Sequence, residues 1–237
     1  RRFSPARCLL RASLFARDAA LVPLVLSVIA EAGHGDKPAG ANERLPSEQR
    51  VKAWFHAYLQ TLVSPVLALF FRHGIVMEPH LQNCVLVHEQ GEPQRMLLRD
   101  FEGVKLTSDK GVDWLAGEPL HPRVRESITY SREQGWNRIA YCLLVNHLAE
   151  AILALSWQRP ALADALWQST LEELCRVRRT LEVETPELDA LLEGGLLPCK
   201  TNFKLRLMAK PDRQAQYVHL PNPWHVTHGL GKEVAYG

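Results

Sequence analysis

Glu78, His80, Gln82 and Asn83 fall inside an otherwise apolar stretch, HGIVMEPHLQNCVLV (73–87), and Asp100 closes the next apolar run, in LLRDFEG (97–103). These residue types can do chemistry together. An Asn amide oxygen and an Asp carboxylate are hard donors that suit Mg²⁺, which takes one or two carboxylates alongside nucleotide phosphates. A nearby His adds a donor for a phosphate or carboxylate oxygen. Arg99 adds a fixed positive charge, although strand alternation would turn it to the face opposite Asp100. Burying so many polar groups without a ligand would be costly. The plain alternative is that Asn and Asp beside turns satisfy local backbone groups, while the His caps or packs.

Such a site needs elements to position it. GIVMEPH, NCVLVHEQ and QRMLLRDFEG are short runs rich in Val, Ile and Leu, and EQGEP between the last two predicts a β-hairpin. That pairing brings Asn83, at the start of one strand, near Asp100, at the end of its partner. His80 and Gln82 would share a strand face, joined by Glu78. Upstream, residues 45–74 predict a helix capped by Ser47, with Trp54, Tyr58, Leu62, Leu67, Phe70 and Phe71 as its apolar stripe. Pro65 should kink or split it, and Gly74 should stop it. Downstream, 122–157 predicts one or two helices and 161–182 another. A short helix over 185–195 is capped by Thr185, with Pro186 at N1 and Gly194–Gly195 at its end. TNFKLRLM and QYVHLP, joined by AKPDRQ, predict a second hairpin. Residues 8–32 carry mixed helical periodicity before a Gly/Pro/Asp-rich loop over 32–42. The fold class expected is α+β, mainly helical, with helices around one small antiparallel sheet and residues 1–237 as a single domain.

Composition narrows the classes of function. Of 237 residues, 46% are hydrophobic and 23% charged, as in an ordinary soluble domain. A net charge of +2 is too balanced to argue for nucleic acid or an anionic membrane as partner. RVRR (176–179) reads as a solvated helix face. Cysteines 8, 84, 142, 175 and 199 form no CxxC pair, so reduced thiols in a cytoplasmic protein are expected. The clean apolar run from Ala19 to Ala30 is too short to span a bilayer. The six tryptophans, 54, 114, 136, 157, 167 and 224, read as packing. Tyr141, Asn146 and His147 lie on one helix. The last two are adjacent and point apart, so one is expected to reach a substrate pocket and the other to pack. Lys200 and Lys204 could meet a carboxylate from a tail strand. His219, His225 and His228 are too loosely spaced for a metal site.

The order and spacing of Glu78, His80, Gln82 and Asn83, as E-x-H-x-Q-N, followed by Arg99–Asp100, resemble the NRPS-independent siderophore synthetases of the IucA/IucC aerobactin-synthetase family. RHGIVME, YCLLVNHL and LPCKTNFKLRLM with LPNP extend the resemblance along most of the chain. It implies an ATP- and Mg²⁺-dependent ligase that adenylates a carboxylate of citrate or of a citrate or dicarboxylate derivative. An amine or hydroxyl then displaces AMP. Family members are built of thumb, fingers and palm regions, and the helical outline here matches a palm, which is distantly kinase-like. Carried over by position, His80 would contact an ATP phosphate or the carboxylate. Gln82 and Asn83 would bind phosphate or metal, and Asp100 would bind Mg²⁺. Glu78 would orient the others, and Arg99 joins the nucleotide set. Tyr141, Asn146 and Lys200 are the substrate candidates. A homodimer of the full-length enzyme, a cytoplasmic location and no nucleic-acid or membrane partner are expected.

One departure stands out. The family's phosphate-binding Ser/Thr/Lys/Arg elements have no counterpart in 1–72. The chain, which opens on RRFSP without Met, therefore reads as a C-terminal portion, roughly half, of a synthetase, with little turnover alone. Two other readings stay open. A kinase-like phosphotransferase would need a Lys–Glu pair and a Gly-rich phosphate cover upstream, and neither is visible. A module for handling iron or siderophores, like ferric-siderophore reductases, would use a C-terminal cysteine cluster, where this chain has Cys199.

Overall fold

The computed structural model describes residues 9–11, 46–201 and 216–224. Its central element is helix α1, Glu48–His73. The Ser47 hydroxyl accepts from the Arg50 N–H, and Gly74, at φ 64°, closes the helix in the left-handed conformation that glycine adopts without a steric penalty. Val51, Phe55, Leu59, Leu62, Val66, Phe70 and Phe71 form its buried face. Pro65 neither kinks it apart nor splits it: α1 runs unbroken through this position. Pro65 is exposed, so water can take the carbonyl that loses its partner, while Val63, Val66 and Leu67 hold the helix to the core.

Among the described residues the strands form three small sheets rather than one. In the first, β3 (Cys84–Glu89) pairs antiparallel with β4 (Glu92–Leu98) and with β1 (Leu9–Arg11). Leu9 stands opposite Val87, so the helical period read from residue 8 onward starts as a strand. The expected hairpin is present. Gln90 (φ 50°) and Gly91 (φ 82°) both have positive φ, as a tight primed turn requires. In the second sheet, β2 (Ile75–Val76) pairs antiparallel with β5 (Lys105–Thr107), and β5 pairs parallel with β6 (Thr129–Tyr130). In the third, β7 (Leu197–Lys200) pairs with β8 (Tyr217–Leu220). The QYVHLP strand is there, paired with LPCK; of TNFKLRLM only Thr201 is described, its N–H donating to the Gln216 carbonyl at 3.0 Å. Residues 202–208, with Lys204, lie outside the described residues, as do Cys8, His225, His228 and 12–45.

After α2 (Pro122–Ile128), Ser131 starts α3 (Arg132–Ala140) with a reciprocal capping box to Gln134. A π-helical segment, Tyr141–Leu148, continues into α4 (Ala149–Ser156). Then follow α5 (Leu162–Thr180), which packs on α1, and the short α6 (Pro186–Leu192). Thr185 stands at the N-cap of α6, but its hydroxyl bonds the Asp189 carboxylate at 3.2 Å instead of a backbone N–H. Arg132 binds α3 to its surroundings. It bonds Glu187 at 2.5 Å and Asp109 at 2.9 Å and covers the rings of Phe70 and Phe71. Glu48–His73 and Arg132–Ser156 are each long and apolar enough to cross a membrane, yet both supply residues to the core. Trp54 and Trp224 are buried, and Trp136 and Trp167 pack at its edge. Trp114 and Trp157, expected to pack, are 60% and 64% exposed.

Candidate active site

Strand β2 ends at Val76, so Glu78, Pro79 and His80 belong to no strand and the two-residue alternation does not reach them. The chain folds back tightly instead. His80 N–H donates to the Glu78 carbonyl at 2.9 Å, and Asn83 N–H donates to the His80 carbonyl at 2.9 Å. Leu81–Asn83 is a 3₁₀ turn with His80 at its N-cap. This overturns the shared face of His80 and Gln82. His80 is half-buried, Gln82 is exposed and Asn83 is buried.

Across the hairpin mouth the expected proximity holds. Cys84 pairs with Leu98, and one step further Arg99 N–H donates to the Asn83 carbonyl at 2.9 Å. Asp100 follows with φ 67° and ψ 64°, a left-handed turn that ends the strand and starts the 3₁₀ turn Phe101–Gly103. Its carboxylate makes no cap bond there, and both Asp100 and Arg99 are exposed. A non-glycine residue held in this conformation carries strain of the kind found at ligand sites.

Glu78 pairs with Arg138, which rises from α3 and lies over the Tyr130 ring, its guanidinium carbon 5.1 Å from the ring centroid. Sequence reasoning passed over Arg138. A signal was available: it is the one formal charge between Glu133 and Glu150, on a helix turning into an apolar run. A cation so placed needs a partner. His80 is within electrostatic reach of Glu78, Asp100 and Arg138. Burial pushes its pKa below the ordinary His value, against the pull of the two carboxylates, so the ring is neutral at neutral pH. Its Nδ1 is buried and has no hydrogen-bond partner among the described residues.

The substrate candidates form an adjoining group. Tyr141 lies beside Asn146, which draws its pKa down against burial, and meets Tyr217 edge-on at 6.2 Å. Lys200 stands opposite Tyr217 in the β7–β8 ladder. Burial raises the Tyr141 pKa and lifts that of Tyr217 to about 12, leaving both as neutral hydroxyls. Arg138 is within electrostatic reach of Tyr217 as well as His80, which links the two groups. Of the adjacent pair Asn146 and His147, the packing residue is His147, which is fully buried. His219 is exposed on β8. Cys84 and Cys142 are buried thiols, each pushed up to about 12 chiefly by burial. Among the described residues no group of three or more His, Cys, Asp and Glu is set to hold a metal. Asp100 and Asn83 together offer one carboxylate and one amide, a donor set that fits Mg²⁺ when phosphate oxygens complete it.

Known proteins share this arrangement of elements. A diaminopropanoate–citrate ligase of Staphylococcus aureus is 27% identical over 194 residues, which cover 78% of this chain and 31% of that protein. The rhizobactin siderophore biosynthesis protein RhbC of Rhizobium meliloti is 28% identical over 187 residues, covering 76% and 32%. Aerobactin synthetase IucA from Klebsiella pneumoniae, solved also with ATP bound, superposes with a TM-score of 0.67 at 22% identity, over 85% of this chain and 34% of that one. The petrobactin biosynthesis protein AsbB from Bacillus anthracis gives 0.66 at 18% identity, over 96% and 37%. The chain thus spans about a third of the length of these relatives, less than the half expected. Residues 52–215 match the family described as ferric iron reductase FhuF-like transporter. The chain belongs to this FhuF-like family, and the relatives it matches include citrate ligases and siderophore biosynthesis proteins.

Proposed function

We propose that this chain supplies the nucleotide- and carboxylate-facing part of an ATP-dependent ligase that joins a citrate-type carboxylate to an amine or hydroxyl. The observation that carries the reading is the placement of His80. Neutral, half-buried and with Nδ1 unpartnered, it lies within reach of Glu78, Arg138 and Asp100 at the mouth of the hairpin. Relatives in sequence are named as citrate ligases, and a solved neighbour was captured with ATP.

In this reaction a carboxylate oxygen bonds the α-phosphorus as pyrophosphate leaves. The amine or hydroxyl then bonds the acyl carbon, AMP leaves, and the nucleophile gives up a proton. Neutral His80 has an N–H to offer a phosphate or carboxylate oxygen where negative charge grows, and such oriented donors act on the transition state. Asp100 and Asn83 would hold Mg²⁺, whose charge offsets that of the phosphates. The exposed Gln82 amide and Arg99 guanidinium stand beside the same turn to meet phosphate oxygens. Glu78 neutralises and orients Arg138, leaving that cation close to His80 without a net positive excess. Tyr141, Asn146 and Lys200 line the adjoining group, where hydroxyl, amide and ammonium suit a polycarboxylate.

Titrating MgATP into the wild type, His80→Ala and Asp100→Ala tests the site. Both variants are expected to bind more weakly. Unchanged affinity in both would contradict the reading.

A further inference from the structure

One fully buried polar pair has no part in the chemistry above. His147 is 0% exposed, with Nδ1 2.8 Å from the Pro79 carbonyl and Nε2 against the Tyr58 hydroxyl. A carbonyl only accepts, so Nδ1 must carry the proton. Nε2 is then the acceptor, and Tyr58 O–H donates to it. Tyr58 is itself buried and its ring stacks on Trp54 and Phe55, 5.2 and 6.2 Å away, which makes it a fixed post on α1.

The consequence falls on one peptide group. The Pro79 carbonyl and the His80 N–H belong to the same planar unit. Its oxygen is held by His147 and its N–H by the Glu78 carbonyl at 2.9 Å. Proline also fixes φ at residue 79. The backbone that carries His80 is therefore pinned from both sides of one plane, and the pin reaches through the π-helical segment to α1.

We propose that His147, oriented by Tyr58, is a positioning residue that fixes the Pro79–His80 peptide and so aims the His80 imidazole. Its effect on ligand binding rests on the role given to His80 above. A histidine serving only to fill space would be replaceable at the cost of stability alone. A positioning histidine is replaceable only by a side chain that still donates to Pro79. Asparagine presents an N–H where Nδ1 stood, and leucine does not.

The test uses the full-length protein, with His147→Leu compared with the double variant Tyr58→Phe/His147→Asn, which leaves no hydroxyl without an acceptor. His147→Leu is expected to weaken MgATP binding about tenfold, as loss of one buried hydrogen bond allows, with the double variant close to wild type. In ¹⁵N-histidine spectra, His147 is expected as the Nδ1–H tautomer, and His80 resonances should move in His147→Leu but stay in the double variant. An Nε2–H tautomer, or a folded His147→Leu with unmoved His80 resonances, overturns the proposal. Should His147→Leu fail to fold, the wild-type tautomer and the double variant's His80 resonances decide. If His80→Ala binds MgATP like the wild type, the reading of the site fails, and the His80 resonances still judge His147.

Discussion

The Glu78 carboxylate lies against Gly103: a Cβ built on that glycine would stand 3.1 Å from Glu78 Oε2. The turn that follows Asp100 thus rests on the residue two before His80, and the two halves of the candidate site are in direct contact. Gly103→Ala should push the carboxylate by a few tenths of an ångström and disturb its pairing with Arg138. Weaker MgATP binding is expected with a stability loss under about 1 kcal/mol. Titration calorimetry beside urea denaturation checks both, and unaltered affinity would count against the coupling.

Arg138 and Glu78 are mostly buried, with side chains 17% and 24% exposed. Removing one leaves the other uncompensated. Arg138→Gln is expected to cost about 1–3 kcal/mol, less than for a wholly buried pair. Glu78→Gln in the same chain should return part of it. Chemical denaturation of the four-member cycle measures this, and additive effects would show that the pair is not coupled.

Acid should loosen the fold at His147. Its pKa falls from the ordinary 6.5 to about 4, chiefly because burial disfavours the charged ring. The unfolded chain therefore binds a proton that the folded one refuses between those values. The stability that neutral His147 secures is complete above pH 6.5, declines as pH falls, and is lost below about pH 4. The full swing is roughly 3 kcal/mol. His147→Asn should flatten the pH dependence of the urea midpoint in this window.

Asp100 and Gln90 both sit at positive φ, 67° and 50°. Glycine should relieve strain at either position, raising stability by up to about 1 kcal/mol. Only Asp100→Gly should also weaken MgATP binding. Gln90→Gly, in the far turn of the hairpin, is the control. Equal loss of binding in both would mean that the hairpin, and not the Asp100 carboxylate, matters.

Features set by neighbouring residues were legible in the sequence. Ser47 and Gly74 bound α1 as their cap chemistry requires, and EQGEP makes the turn that sets Asn83 beside Arg99 and Asp100. The long apolar helices and the E-x-H-x-Q-N spacing were readable for the same reason. What escaped depends on partners far along the chain. Arg138 finds Glu78 sixty residues away. The division into three sheets follows from pairings such as β5 with β6, which no local period encodes. His80 and Gln82 were given a strand's alternation because the apolar run around them looks extended. The backbone instead closes two bonds across Glu78, His80 and Asn83 and makes a turn. Thr185 shows a finer limit: the residue stands where a cap should, and a carboxylate four residues on takes its hydroxyl.

The π-helical segment sets the angular phase between the two halves of a long helix. Tyr141 and Asn146 are five residues apart and lie close enough for Asn146 to act on the Tyr141 hydroxyl, a span that a π turn brings onto one face and an α turn does not. With ordinary α winding and no change in length, Arg138 and His147, nine residues apart, would point to opposite sides of the helix. Arg138 lies before the segment, and His147 lies near its end. The wide turn is therefore what lets one continuous helix present a cation to Glu78 and an imidazole to Pro79 at once.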